Sequence, residues 1–139
     1  MKTDFVVDTS LAMAWCFLDE ATPATVDLLK RAGNASIVVP AWWYIELTNV
    51  LVIAERNRRI DAAKVAQFIA LIENLRVDVD TEAPQRSFSH LLPLCRTYHL
   101  TSYDAMYLDL AVRRHLPLAT LDEPLRKAAK KAGVKLLGR

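Results

Sequence analysis

The chain is short of the residues that build stapled frameworks. Its two cysteines, Cys16 and Cys95, lie far apart in apolar surroundings, with no CxxC spacing. Neither a disulfide scaffold nor a zinc site is indicated, and both thiols read as buried. The three histidines, His90, His99 and His115, are scattered and suggest neither a metal cage nor a catalytic base. With only three glycines, and no repeat, linker or low-complexity tract, nothing divides the chain. Long apolar runs are missing too: none approaches the roughly 18 residues of a membrane span. The apolar stretch of MKTDFVVDTS ends at Asp8, too soon for a secretion signal. A cytoplasmic protein with no membrane association is expected.

What remains is a chain of 139 residues, 53% hydrophobic, which is enough for one core and one domain. Its apolar periodicity alternates. DFVV (4–7) reads as a short buried strand, followed by helical spacing in SLAMAWCFLDE with Ser10 as N-cap. A helix from Pro23 to about Gly33 leads to a strand at SIVVP (36–40). A long helix from Ala41 through WWYIELTNVLVIAERNRR and a second one capped by Asp61 precede the alternating VDVDT (77–81). Residues 84–99 look helical, although Pro93 should kink or split them. Thr101 or Ser102 caps DAMYLDLAVRRH, LPLATL is a strand, EPLRKAAKKAG is a helix closed by Gly133, and VKLLG ends the series. This order predicts an α/β fold, a mainly parallel sheet sandwiched by helices with right-handed crossovers.

The formal charge of +2 decides little, but its distribution says more. Arg56, Arg58 and Arg59 form one basic group. Arg113, Arg114, Arg126, Lys127, Lys130, Lys131, Lys135 and Arg139 form another, and such groups suit a phosphate backbone as well as a solvated helix face.

Four acids carry the chemistry. Asp8 and Asp122 directly follow apolar strand-like runs, while Glu46 and Asp104 fall in the first turns of predicted helices. In an open parallel sheet, strand C-termini and helix N-termini share one edge, where ligands bind. All four can therefore meet in one pocket, and oxygen ligands of this kind suit a hard divalent cation. Each also has a structural reading. Asp104 three positions after Thr101 resembles a capping pair, and Asp122 and Ser10 can equally be caps. Glu46, by contrast, sits among Trp43, Tyr44, Ile45, Leu47 and Val50 with no basic residue one turn away, and needs a partner. Asp8 at the end of FVV is hardest to assign to structure alone. Tyr103 and Tyr107 read as packing residues rather than base-stacking platforms.

Taken together, the hydrophobic-hydrophobic-D-T-S start, the acid early in the helix after the second strand, Y-D-A-x-Y and L-A-T-x-D resemble the PIN domain, over the full range 1–139. More narrowly, the chain resembles the VapC toxins of type II toxin–antitoxin modules. The resemblance implies a magnesium-dependent, or manganese-dependent, endoribonuclease that cuts RNA, forms a homodimer and is neutralised by a cognate antitoxin. It maps the acidic quartet onto Asp8, Glu46, Asp104 and Asp122, and the small hydroxyl residue onto Ser10. Asp8 and Asp104 are the expected principal metal ligands. Glu46 completes the shell directly or through water, and Asp122 acts through a water or a second ion. Ser10 is expected to hydrogen-bond a carboxylate or a water on the ion. Pro93 departs from the unbroken helix usual in the family. Apolar residues of the early helices, Trp15, Phe17, Leu18, Trp42 and Trp43, are the expected interface surface.

Other classes fit less well. A haloacid-dehalogenase-type phosphatase needs an acid where Ser10 stands, and a response-regulator receiver needs paired acids and a late lysine. A catalytically inactive PIN-fold binding protein would be expected to lack one of the four acids. The closest alternative is a PIN-fold nuclease outside a toxin module, acting in RNA processing or on structured nucleic acid.

Overall fold

The computed structural model describes residues 4–139, so residues 1–3 of the expected domain lie outside the described residues. Five strands form one sheet in the order β3-β2-β1-β4-β5, with every neighbouring pair parallel. They are β1 (Phe5–Val7), β2 (Ser36–Pro40), β3 (Arg76–Asp80), β4 (Leu118–Ala119) and β5 (Leu136–Leu137). Phe5, Val6 and Val7 are wholly buried, as a central parallel strand covered by helices on both faces requires. The chain builds outward from β1 through β2 to β3, then returns to the other side of β1 with β4. The crevice between the ends of β1 and β4 is thus the topological switch point of the sheet.

Around the sheet run α1 (Thr9–Ala14), α2 (Pro23–Ala32), α3 (Trp42–Arg56), α4 (Ala62–Glu73), α5 (Ala83–Arg86), α6 (Leu92–Tyr98), α7 (Ser102–Arg114) and α8 (Glu123–Lys131). Most match the sequence expectation, and the differences have local causes. Asp8, not Ser10, is the N-cap of α1: its carboxylate accepts from the Leu11 backbone N–H, one of the orphan donors of the first turn. Gly33, expected to end α2 in the left-handed conformation, is right-handed, whereas Gly133, the glycine after α8, is left-handed at φ 77°. The last two strands shrink to two residues each. The helix expected over 84–99 is divided, because Pro93 has no N–H to continue the ladder. A π-helical stretch, Ser87–Leu91, takes up the change of register ahead of it.

Of the two basic groups, most arginines are committed to carboxylates or carbonyls, while Lys127, Lys130, Lys131 and Lys135 are exposed. Arg113 grips Asp80 with two bonds of 3.0 Å and also reaches Asp109 and Glu82, while Arg114 bonds Asp78 and Asp80. Arg86 from α5 holds Asp109 of α7 at 2.7 and 2.9 Å. The network clasps the edge strand β3, α5 and α7 together. Arg59 pairs with Asp19 and Glu20 and lies over the Phe17 ring; Arg126 donates to the carbonyls of Thr120 and Leu137; Arg139 pairs with Glu123.

Candidate active site

Asp8 ends β1 at the switch point and is only 4% exposed. Beyond the Leu11 N–H it accepts from Ser10 Oγ at 2.8 and 2.9 Å and from Thr120 Oγ1 at 2.5 Å. Burial disfavours its charged form more than these donors favour it, and its pKa rises from 3.8 to about 6. Ser10 therefore bonds a carboxylate as expected, and its oxygen also accepts from the Leu121 N–H at 2.9 Å. That bond ties α1 to the segment leaving β4.

Asp104 stands at the third position of α7, which Thr101 caps by accepting from the Asp104 N–H. The reciprocal bond of a capping box is missing, and among the described residues nothing donates to the Asp104 carboxylate. Burial raises its pKa from 3.8 to about 6, and the charges of Asp122, Asp8 and Glu46 add to the rise. Asp122, Asp8 and Glu46 thus all stand close enough to act on Asp104. Asp122 plays two parts, since it also N-caps α8 by accepting from the Leu125 N–H at 3.0 Å.

Glu46 lies in the second turn of α3 rather than the first. The partner its apolar surroundings demand is Tyr107, whose hydroxyl donates to Oε1 at 2.5 Å, with Thr9 Oγ1 adding a bond at 3.2 Å. The phenol is pushed up far beyond its usual range by burial and by the Glu46 charge, so it stays a donor at any physiological pH.

Thr9, Tyr107 and Thr120 are the site residues that sequence reasoning missed. Thr120, completely buried, donates to Asp8 and accepts from the Asp122 N–H at 3.0 Å, which joins two acids through one hydroxyl. The available signal was their place inside the same motifs: the T of D-T-S, the second Y of Y-D-A-x-Y and the T of L-A-T-x-D.

Among the described residues, no three acidic, histidine or cysteine side chains are drawn together into a ready-made ion cage. The donor chemistry nevertheless fits a hard divalent cation: four carboxylates, no sulfur or imidazole, and like charges whose repulsion a cation relieves. Asp8 and Asp104 would hold it, with Glu46 and Asp122 beside them.

The PIN domain family model matches residues 5–131. The chain belongs to the PIN domain family, whose members are typically nucleases that use divalent metals. The crystal structure of PAE2754 from Pyrobaculum aerophilum is similar with a TM-score of 0.72 at 23% identity, covering 98% of this chain and 92% of that one. A chain of a toxin-antitoxin complex from Klebsiella pneumoniae is similar with a TM-score of 0.53 at 17% identity, covering 85% and 86%. At such identities the likeness is one of fold. No curated protein matches the chain in sequence.

Proposed function

We propose that the protein is a magnesium- or manganese-dependent endoribonuclease and the toxin of a toxin–antitoxin module, acting in the cytoplasm. The observation that carries this reading is the gathering of Asp8, Glu46, Asp104 and Asp122 about the switch-point crevice of a PIN fold. When bound, the ion supplies Lewis-acid activation of water and offsets charge building on the phosphodiester oxygens. The chain's own residues prepare for it. Ser10, Thr120 and the Leu11 N–H fix the Asp8 carboxylate in one orientation, and Tyr107 and Thr9 fix Glu46. Asp104, with no protein donor, is the acid free to turn toward a ligand.

The decisive experiment is cleavage of RNA by purified protein. Added magnesium or manganese should support cutting, a chelator should silence it, and Asp8→Asn should remove it. Cleavage that persists in chelator overturns the metal mechanism. A smaller effect is expected from Tyr107→Phe, which removes the 2.5 Å bond to Glu46. Loss of such an outer partner should lower kcat about 10–100-fold with the fold kept; unchanged kinetics would show that Glu46 needs no orienting donor.

For the antitoxin, the structure shifts attention from the early helices to a groove between α3 and α4. Trp15, Phe17 and Trp43 are buried in the core; of the early residues only Leu18, 81% exposed, and Trp42 reach solvent. The groove, about 430 Å³, is walled by Leu47, Leu51, Val65, Phe68, Ile69 and Ile72, with Glu55, Arg56 and Glu73 also lining it. An apolar trough of that form suits the apolar face of an amphipathic antitoxin helix. Exposed Ile45 and Ile53 continue the apolar surface of α3 and are the candidate homodimer contact.

A further inference from the structure

A second cavity, about 440 Å³, opens at the same sheet edge as the acids, between the end of β3 and the starts of α3 and α7. Its size falls in the range of small-ligand pockets, about 300–1,000 Å³. Leu91 and Met106 make part of its apolar wall, and its two aromatic residues are Trp42, 50% exposed, and Tyr103, which at 55% exposure is not the packing residue expected from the sequence. Burying neither of these large rings is costly in water unless something covers them.

Their placement follows from the site. Trp42 stands four residues before Glu46 on α3, and Tyr103 four before Tyr107 on α7, so each ring shares a helix face with one member of the Glu46–Tyr107 bond. The helices are joined at that bond, and one turn back from it, about 5–6 Å, both rings line one cavity. Tyr103 also immediately precedes Asp104. The cavity carries no free charge: Asp80 on its wall is neutralised by Arg113 and Arg114. Thr81 and Ser102 offer hydroxyls that bond nothing else among the described residues. A neutral, aromatic-flanked pocket beside an acidic centre suits the one neutral, planar part of a nucleic acid.

We propose that this cavity receives a single unstacked nucleobase of the RNA strand next to the phosphate being cut, with Trp42 and Tyr103 as its stacking faces. The inference rests on the ribonuclease reading above. Single-stranded RNA is commonly held through aromatic stacking of splayed bases, which tolerates any base, while hydroxyls such as those of Thr81 and Ser102 can add a preference.

Of the three tryptophans, Trp42 alone is exposed, so its emission reports on the pocket. The test uses Asp104→Asn protein in magnesium, to bind without cutting, titrated with short oligouridylate, oligoadenylate and an abasic strand of equal length. The base-bearing strands should quench the emission and the abasic strand should not. Trp42→Phe should keep affinity and lose the quench; Trp42→Ala and Tyr103→Ala should each weaken binding about tenfold. In otherwise unmodified protein the same alanine variants should raise KM with kcat little changed. Equal binding of the abasic strand, or unchanged kinetics in both alanine variants, overturns the pocket and leaves the nuclease reading standing. Absence of RNA cleavage by the parent protein overturns both. If the alanine variants keep RNA affinity but lose the homodimer or the antitoxin complex, the face belongs to a protein partner and the proposal is wrong.

Discussion

Asp104→Asn should abolish RNA cleavage and yet raise the melting temperature of the ion-free protein near neutral pH. The catalytic loss should be about a hundredfold or more, since even outer partners of a metal site are worth 10–100-fold. The gain in stability comes from the acid's surroundings. Burial, then the charges of Asp122, Asp8 and Glu46, raise Asp104 from 3.8 to about 6. A carboxyl raised in this way stabilises the fold fully below about pH 3.8, and that contribution is lost as pH rises through about 6. Asp8 follows the same course. Ion-free parent protein should therefore melt progressively lower between about pH 4 and 7, and less steeply in the variant. With solvent screening allowed for, relief at Asp104 is worth on the order of 1–2 kcal/mol, or roughly 4 °C at this chain length. Magnesium should stabilise the parent more than the variant by mass action. Should Asp104→Asn melt lower without metal, and magnesium raise both proteins equally, Asp104 is a helix-start residue and the acids form no ion site.

The largest loss of stability is expected outside the acidic quartet, at Asp109→Ala. This carboxylate is nearly buried and takes three bonds from Arg86 and Arg113. Its loss strands the mostly covered Arg86, whose guanidinium has no other hydrogen-bond partner among the described residues, and takes one bond from Arg113, which keeps Asp80 and Glu82; breaking a buried pair in this way typically costs about 3–5 kcal/mol. At this chain length that is a fall of about 10 °C or more by thermal melting. Below the new midpoint, kcat should stay near the parent's, because Asp109 touches none of the four acids. The same clasp has a pH signature of opposite sign to that of the site. Burial alone would raise Asp80, but the bonds from Arg113, the Glu82 N–H and Arg114 outweigh it and hold the carboxyl at about 2. Its contribution is present above about pH 3.8 and is lost as pH falls through about 2. A melting temperature for Asp109→Ala within a degree or so of the parent's would remove the clasp from the account of stability.

The order of elements along the chain and the parallel sheet were legible because both follow from period and punctuation. A fully apolar FVV ending in Asp, and SIVVP leading into a helix, can hardly be other than buried parallel strands with polar residues at their C-terminal edge. Side-chain commitments were not legible. Arg113 and Arg114 look like a phosphate-binding pair in sequence, yet their partners Asp78, Asp80 and Glu82 come from a strand and turn more than thirty residues earlier. Trp42 and Trp43 are neighbours in the chain, but the 100° step of the helix sends Trp43 into the core and Trp42 to solvent. Tyr107 was read as packing, which it is, while its hydroxyl at the far end of the ring supplies the bond Glu46 needed.

The sheet order also sets when this site can exist. Asp8 and the hydroxyl that fixes it, Thr120, are 112 positions apart, the latter just past the strand that flanks β1. Contacts so distant in sequence close late in folding, after the loop entropy between them has been overcome. On the ribosome the nascent chain can pair β1 with β2, and β2 with β3, and still have no Asp104, no Asp122 and no second wall to the crevice. The acidic centre is complete only when the segment carrying Asp104, β4 and Asp122 packs against β1.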